Sequence, residues 1–256
     1  FTKKIKLISM LGENNDYKSF IKKKLNKKIQ GVFFKKKNSP TILKKRFVDN
    51  ITKNKLFGIY SLNDDIASGK DDEKICKYIE RNIPKFDLIL ISDYGHGFIS
   101  NKTAKKITSK KKYIALNAQV NASNIGYHDL LKYNNINSVV INETELRHEM
   151  RNKKDDTKFL SLQLQKKLNV NDLLVTRGKN GAILLSKKNK TFIESPAFAK
   201  NVIDKVGAGD AMLSIISMLI KIGAPKDLSL LLGSFAGSMS VESIGNSISI
   251  DKKNFL

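Results

Sequence analysis

Four consecutive residues, Gly207, Ala208, Gly209 and Asp210, carry the clearest chemistry in the chain, because they open an apolar run predicted to be helical over residues 211–222. Two glycines let a backbone turn tightly and bring its N–H groups against a ligand. The first turn of a helix offers N–H groups without intrahelical acceptors and the positive end of the helix dipole, so an anion such as phosphate is held there without help from a side chain. A carboxylate in the same turn, Asp210, is placed to take a proton from a hydroxyl that attacks a phosphoryl group seated over those N–H groups. The plainer alternative is a glycine loop followed by an ordinary acidic residue at a helix start. Asp204, six residues earlier, and a set of polar strand ends upstream weigh against it.

Those strand ends come from a regular alternation of elements. Residues 5–10 read as a strand and 16–28 as a helix, with Tyr17, Phe20, Ile21 and Leu25 at near-helical spacing. Between residues 31 and 60, short β-rich pieces at 32–34, 41–48 and 55–60 predict a small sheet standing off the main domain. From residue 71 onward the pattern predicts a helix to about 81, a strand at 87–92, a helix from 101, strands at 113–117 and 138–142, and a helix at 155–168. Strands at 173–176, 182–186 and 191–194 precede the helix at 211–222 and another at 226–241, where the small residues Ala236 and Gly237 permit close packing. Short apolar strands followed by helix-length segments are the pattern of βαβ units, hence an α/β fold with a mostly parallel sheet. Asp93, Asn117, Asn142 and Thr176 all fall at the C-terminal ends of predicted strands, the edge at which an open parallel sheet binds its ligand.

Composition bounds the rest. With 256 residues and 41% hydrophobic content, the chain suits one large α/β domain with one core. Its most apolar run, 211–220, is interrupted by Ser214 and Ser217 and falls short of the roughly 18 residues of a membrane span. No secretory pattern opens the chain, and a single cysteine, Cys76, excludes an intramolecular disulfide, so a soluble cytoplasmic protein is expected. His96, His128 and His148 lie far apart without partner cysteines, unlike the ligands of a zinc site. The net charge of +23 raises the question of nucleic acid. The lysine runs at 22–24, 35–37 and 110–112 are scattered, however, and lack interleaved aromatics; abundant Lys, Asn and Ile fit an AT-biased coding sequence. Solvated helix faces and attraction for anionic substrates account for them, and no specific nucleic-acid or membrane partner is expected.

The stretch from Asp204 to Asp210, Asp-Lys-Val-Gly-Ala-Gly-Asp, resembles the Asp-Thr-Thr-Gly-Ala-Gly-Asp signature of ribokinase-like carbohydrate kinases. Asn142-Glu-Thr-Glu145 resembles that family's Asn-x-x-Glu motif, and Val175-Thr-Arg-Gly-Lys-Asn-Gly181 its Val-Thr-x-Gly-x-x-Gly strand and turn, in the family's order. Leu90-Ile-Ser-Asp-Tyr-Gly-His-Gly97 and Pro40-Thr-Ile-Leu-Lys-Lys-Arg46 are similar to segments of the kinase half of the bacterial enzyme of ADP-heptose synthesis, so the likeness covers nearly the whole chain.

The resemblance implies a ribokinase-like doubly wound, mostly parallel sheet flanked by helices, with residues 31–60 as a β lid. It also implies ATP-dependent phosphorylation of a sugar or sugar phosphate, a heptose 7-phosphate on the way to lipopolysaccharide being the nearest case, with Mg²⁺ and a monovalent cation. Asp210 would be the base and the backbone of Gly207, Ala208 and Gly209 the phosphoryl cradle. Asn142, Glu143, Thr144 and Glu145, then Thr176, Gly178, Gly181 and Asp204, would surround the nucleotide, with Glu145 toward the metal. Asp93 and Asn117 would face the substrate. The residues by themselves also allow Asn142 and Glu145 to be a helix-capping pair and Asp93 a turn aspartate. A homodimer through the lid and a fused nucleotidyltransferase domain are further implications.

Two departures open the choice of sugar. Where the heptose kinases have Asp-Pro-Lys after a strand, this chain has Asn117-Ala-Gln119, and His96 stands where Lys is usual, so charge is removed near the expected crevice. The family's opening strands, with an Asp for sugar hydroxyls and a Gly-Gly turn, have no counterpart before the segment that starts at Phe1, so residues 1–256 are expected to be an N-terminally truncated kinase domain. The rival readings are a non-catalytic nucleotide-binding module of the same fold and a basic nucleic-acid-binding protein.

Overall fold

A computed structural model describes the chain except for residues 1, 3, 50, 52–54, 120–129, 189, 247–249, 251–254 and 256. The continuation of the Asn117 segment beyond Gln119, and His128, lie outside the described residues. Where length suggested one core, the chain divides into two compact units, Phe1–Ile79 with His96–Thr103, and Glu80–Gly95 with Ala104–Leu256.

In the first unit, β1 (Ile5–Gly12) leads through the short helix α1 (Lys18–Lys24) to β2 (Ile29–Lys36), and the two strands pair in parallel from Ile5 opposite Ile29 to Gly12 opposite Lys36. This is a small βαβ unit, in which a parallel return needs the intervening crossover. The sheet expected over residues 31–60 is therefore corrected. Strand 29–36 belongs with β1, and only β3 (Leu43–Val48) and β4 (Lys55–Ser61) form a separate antiparallel pair. In that pair the Phe47 and Phe57 rings stack with centroids 4.4 Å apart, and every residue of β4 is exposed. Helix α2 (Gly69–Asn82) buries Asp72, Ile75, Cys76 and Ile79, one helical face. Asp72 accepts hydrogen bonds from Ser100 Oγ at 2.7 Å and Thr103 Oγ1 at 2.9 Å, which satisfy a carboxylate that would otherwise be costly to bury.

The second unit is built on a six-stranded sheet in the order β10-β9-β8-β7-β6-β5. Strands β5 (Leu88–Asp93), β6 (Tyr113–Ala118), β7 (Ser138–Asn142) and β8 (Asp172–Thr176) run parallel, with α3 (Asn101–Thr108) following β5, and α4 (Glu143–Met150) and α5 (Thr157–Leu168) between β7 and β8. Strands β9 (Ala182–Ser186) and β10 (Thr191–Ser195) turn back antiparallel, as short connections allow. Ala115, Val140, Leu174 and Leu184 meet Met212, Leu213 and Ile216 of α6 (Ala208–Lys221) and Leu230 of α7 (Lys226–Val241) in one core. Their strand neighbours, among them Val139, Ile141, Leu173 and Val175, point to the other face and are as fully buried, there beside α4 and α5. A sheet buried on both faces explains why these strands read as continuous apolar runs, each large side chain contributing about 1.5–3 kcal/mol. Helix α7 keeps the bounds expected from its sequence. It packs tightly on α6 at Gly233, where a Cβ would stand 2.2 Å from Ile216 Cγ1, and at the expected Gly237, where it would stand 3.0 Å from Met212 Cγ; the expected Ala236 is fully buried. Among the described residues no helix is long and apolar enough to cross a membrane.

Candidate active site

Helix α6 starts three residues earlier than its apolar pattern suggested, at Ala208, after Gly207 in the left-handed region at φ 93°. Its first turn closes with Ala211 N–H on Gly207 O at 2.9 Å. Among the described residues no side chain caps this end, whereas α4 and α5 are capped by Asn142 and Asp156. The leading N–H groups of α6 are thus left for an anion. A Cβ built on Gly209 would lie 3.6 Å from Asn117 Nδ2, an ordinary contact, so the fold does not demand glycine there. What the missing side chain leaves is room over the helix end, which suits the phosphate groups of a nucleotide.

Asp210 lies in that turn, with Oδ1 accepting from Ser92 Oγ at 2.7 Å and Oδ2 from the Tyr94 hydroxyl at 2.9 Å. Burial and the Asp210 charge push the Tyr94 hydroxyl up to about 12. Asn117, at the end of β6, is buried beside Gly209 and donates through Nδ2 to Val140 O at 2.9 Å, which fixes it to the neighbouring strand.

Asp93 is turned away from Asp210. Side chains alternate along a strand, so Ser92 and Tyr94 face one way and Asp93 the other. There it is buried and accepts from Lys132 Nζ at 2.6 Å, the Tyr133 hydroxyl at 2.6 Å and Gly95 N–H at 3.0 Å. Burial alone would raise its pKa, but the Lys132 cation, the Tyr133 hydroxyl and the Gly95 N–H outweigh it and hold the carboxyl below the usual aspartate range. The expected substrate contact is therefore an internal ion pair, and the residues sequence reasoning missed are its two neighbours. The period of two in β5 was the signal that could have found them.

A lowered folded-state pKa means that Asp93 contributes stability above the ordinary aspartate pKa and loses it as pH falls through the folded one. Asp93→Asn also leaves the half-buried Lys132 beside a neutral partner. It should unfold at lower urea than wild type near pH 7, with the gap closing as pH drops from about 5 to below about 3. Urea midpoints across that range check this; a pH-independent gap would discount the ion pair.

The Asn142 motif serves first as a capping box. Glu145 N–H donates to Asn142 Oδ1 at 2.8 Å and Asn142 N–H to Glu145 Oε2 at 2.9 Å. Glu145, expected near the metal, is buried in this arrangement, and among the described residues no three His, Cys, Asp or Glu side chains come together to hold an ion. Glu143 accepts from the Thr157 hydroxyl and from Arg147 at 2.9 Å; the Thr157 bond foremost holds its carboxyl below the usual range. Thr144 is exposed. Thr176 is half-buried and stands opposite Asn142 in the β7–β8 register, so this pair shares the carboxyl edge of the sheet.

Gly178 has φ 56° with open space where a Cβ would go. Gly181, by contrast, is required by packing: at φ 75° its Cβ would stand 1.9 Å from Ser195 O. Asp204 is buried and accepts Val206 N–H and Gly245 N–H, both at 3.1 Å, so it holds the loop entering Gly207. Its carboxylate accepts from two backbone N–H groups.

A model of the pfkB family of carbohydrate kinases matches residues 3–253. The chain is similar to the bifunctional protein HldE of Campylobacter fetus subsp. fetus, at 28% identity over 181 residues, 70% of this chain and 38% of that protein. It spans less than half the length of the first curated relatives it matches. Among solved structures, ribokinase from Giardia lamblia superposes with a TM-score of 0.75 at 15% identity, covering 98% of this chain and 81% of that one. Arabidopsis thaliana ribokinase complexed with ribose and ATP gives 0.70 at 18% identity, covering 98% and 80%. At such identities the likeness carries the fold, which is ribokinase-like, as the motifs implied.

Proposed function

Because the chain belongs to the pfkB family of carbohydrate kinases, we propose that it transfers the γ-phosphate of ATP to a hydroxyl of a sugar or sugar phosphate. The observation that carries this reading is the uncapped start of α6, which pairs open N–H groups and room over Gly209 with a carboxylate in the same turn. Asp210 accepts the proton of the sugar hydroxyl while that oxygen bonds the γ-phosphorus and the bond to the departing ADP oxygen breaks. The N–H groups of Ala208, Gly209 and Asp210 take the charge that gathers on the transferring phosphoryl oxygens, a fixed array that needs no rearrangement in the transition state. Asn142 and Thr176 flank the nucleotide from the ends of β7 and β8, and Asn117 lies beside the phosphoryl turn.

The described residues form no cage for a divalent ion. Mg²⁺ is accordingly assigned to the phosphates of the incoming nucleotide, the usual mode for an ion that keeps much of its water. A phosphorylated heptose is the first substrate to test, supported by the similarity to HldE; the uncharged Asn117-Ala-Gln119 segment and His96 make other sugars the necessary comparison. The exposed apolar side chains of the β3–β4 hairpin, among them Leu56, Phe57 and Ile59, support self-association through the lid.

The test is ADP release by the full-length protein with ATP, Mg²⁺ and K⁺ against free and phosphorylated heptoses, pentoses and hexoses. Saturable, sugar-dependent release is expected with at least one of them. ATP binding with no sugar-dependent release would favour the non-catalytic module.

A further inference from the structure

Both oxygens of Asp210 are already engaged by hydroxyl groups, one from a residue on a paired strand and one from a residue just past its end. Ser92 belongs to β5 and sits opposite Asn117 in the paired register of β6, so its Oγ, 2.7 Å from Oδ1, is fixed by the sheet. Tyr94 lies one residue past the end of β5, next to Gly95 at φ 69°, and is 37% exposed. Its hydroxyl is 2.9 Å from Oδ2, where it takes up an acceptor lobe of the base.

We infer that Ser92 is a positioning residue that orients the Asp210 carboxylate, and that Tyr94 is a place-holder whose O–H stands where the sugar O–H must come. This rests on the reading of Asp210 as the base. In the absence of sugar the phenol keeps water out of that lobe. Water there would lose a proton to Asp210, bond the γ-phosphorus and release ADP and phosphate, a wasteful side reaction of the kind a closed site prevents. A sugar hydroxyl displaces the phenol, so the base comes free together with the substrate.

The test compares Ser92→Ala, Ser92→Thr, Tyr94→Phe and Asp210→Asn with wild type in full-length protein, reading sugar-dependent and sugar-free ADP release and the thermal midpoint. Ser92→Ala should lower kcat about tenfold with the sugar KM moved less than about twofold, and Ser92→Thr should recover most of it, because a misoriented base slows the step without weakening binding. Tyr94→Phe should raise the ratio of sugar-free to sugar-dependent release by on the order of tenfold. An unchanged ratio in folded Tyr94→Phe overturns the place-holder. Wild-type kcat in Ser92→Ala, or a Ser92→Thr as slow as Ser92→Ala, overturns the positioning role. Should Asp210→Asn keep its turnover, the functional reading itself fails, an outcome distinct from either.

Discussion

Asp210→Asn should lower sugar-dependent turnover by about 10² or more while leaving ATP affinity within a few-fold of wild type, the scale of losing a positioned general base. Asparagine has the shape of aspartate and keeps one carbonyl oxygen, so Ser92 Oγ or the Tyr94 hydroxyl retains an acceptor and the start of α6 keeps its backbone course. The change removes only the capacity to take a proton. Steady-state ADP release together with calorimetric ATP binding checks it. Turnover within a few-fold of wild type would remove Asp210 from the chemistry, and a parallel loss of ATP affinity would point to a role in binding.

Gly209→Val acts on the other half of the site. The backbone at Gly209 is in a region open to any residue, and a Cβ meets nothing nearer than Asn117 Nδ2 at 3.6 Å, so folding should survive. The two valine methyl groups would occupy the space over the N–H groups of the first turn. ATP affinity and turnover should therefore fall together, by about tenfold or more in each, with a thermal midpoint at or slightly above wild type, since valine is a better helix former than glycine by a few tenths of a kcal/mol. A folded variant with unchanged ATP affinity would place the phosphates elsewhere. Gly181→Val is the useful contrast, since there the obstruction is Ser195 O of the protein itself.

The residues of the phosphoryl turn were legible in the sequence because their signal is local: two glycines and an acid at a helix start. So were the strands of the second unit, whose burial on both faces leaves uninterrupted apolar runs. What escaped was whatever depends on partners distant in the chain. The pairing of β2 with β1, instead of with the hairpin, is set by a crossover that composition does not reveal. Asp93 carries the chemically richer side chain, yet strand parity gives Asp210 to Ser92 and Tyr94, and Lys132 and Tyr133, some forty residues on, claim Asp93. Asn142 and Glu145 illustrate a different limit, since an amide and a carboxylate at that spacing satisfy a helix end as readily as they meet a ligand, and geometry alone shows the capping bonds. Gly178 and Gly181 look alike on paper; only Gly181 has another strand behind it.

The open start of α6 has a thermodynamic consequence, because the same helix supplies Met212, Leu213 and Ile216 to the core. Any anion that settles on those N–H groups is bound by the folded chain alone, so occupancy and stability become linked quantities. At a ligand concentration one hundred times its dissociation constant, the folded state gains about 2.7 kcal/mol. The empty protein keeps a helix whose first turn is held by solvent, and its amides are where exchange with bulk deuterium should begin. Nucleotide supply would then govern how long the chain persists folded as well as how fast it works.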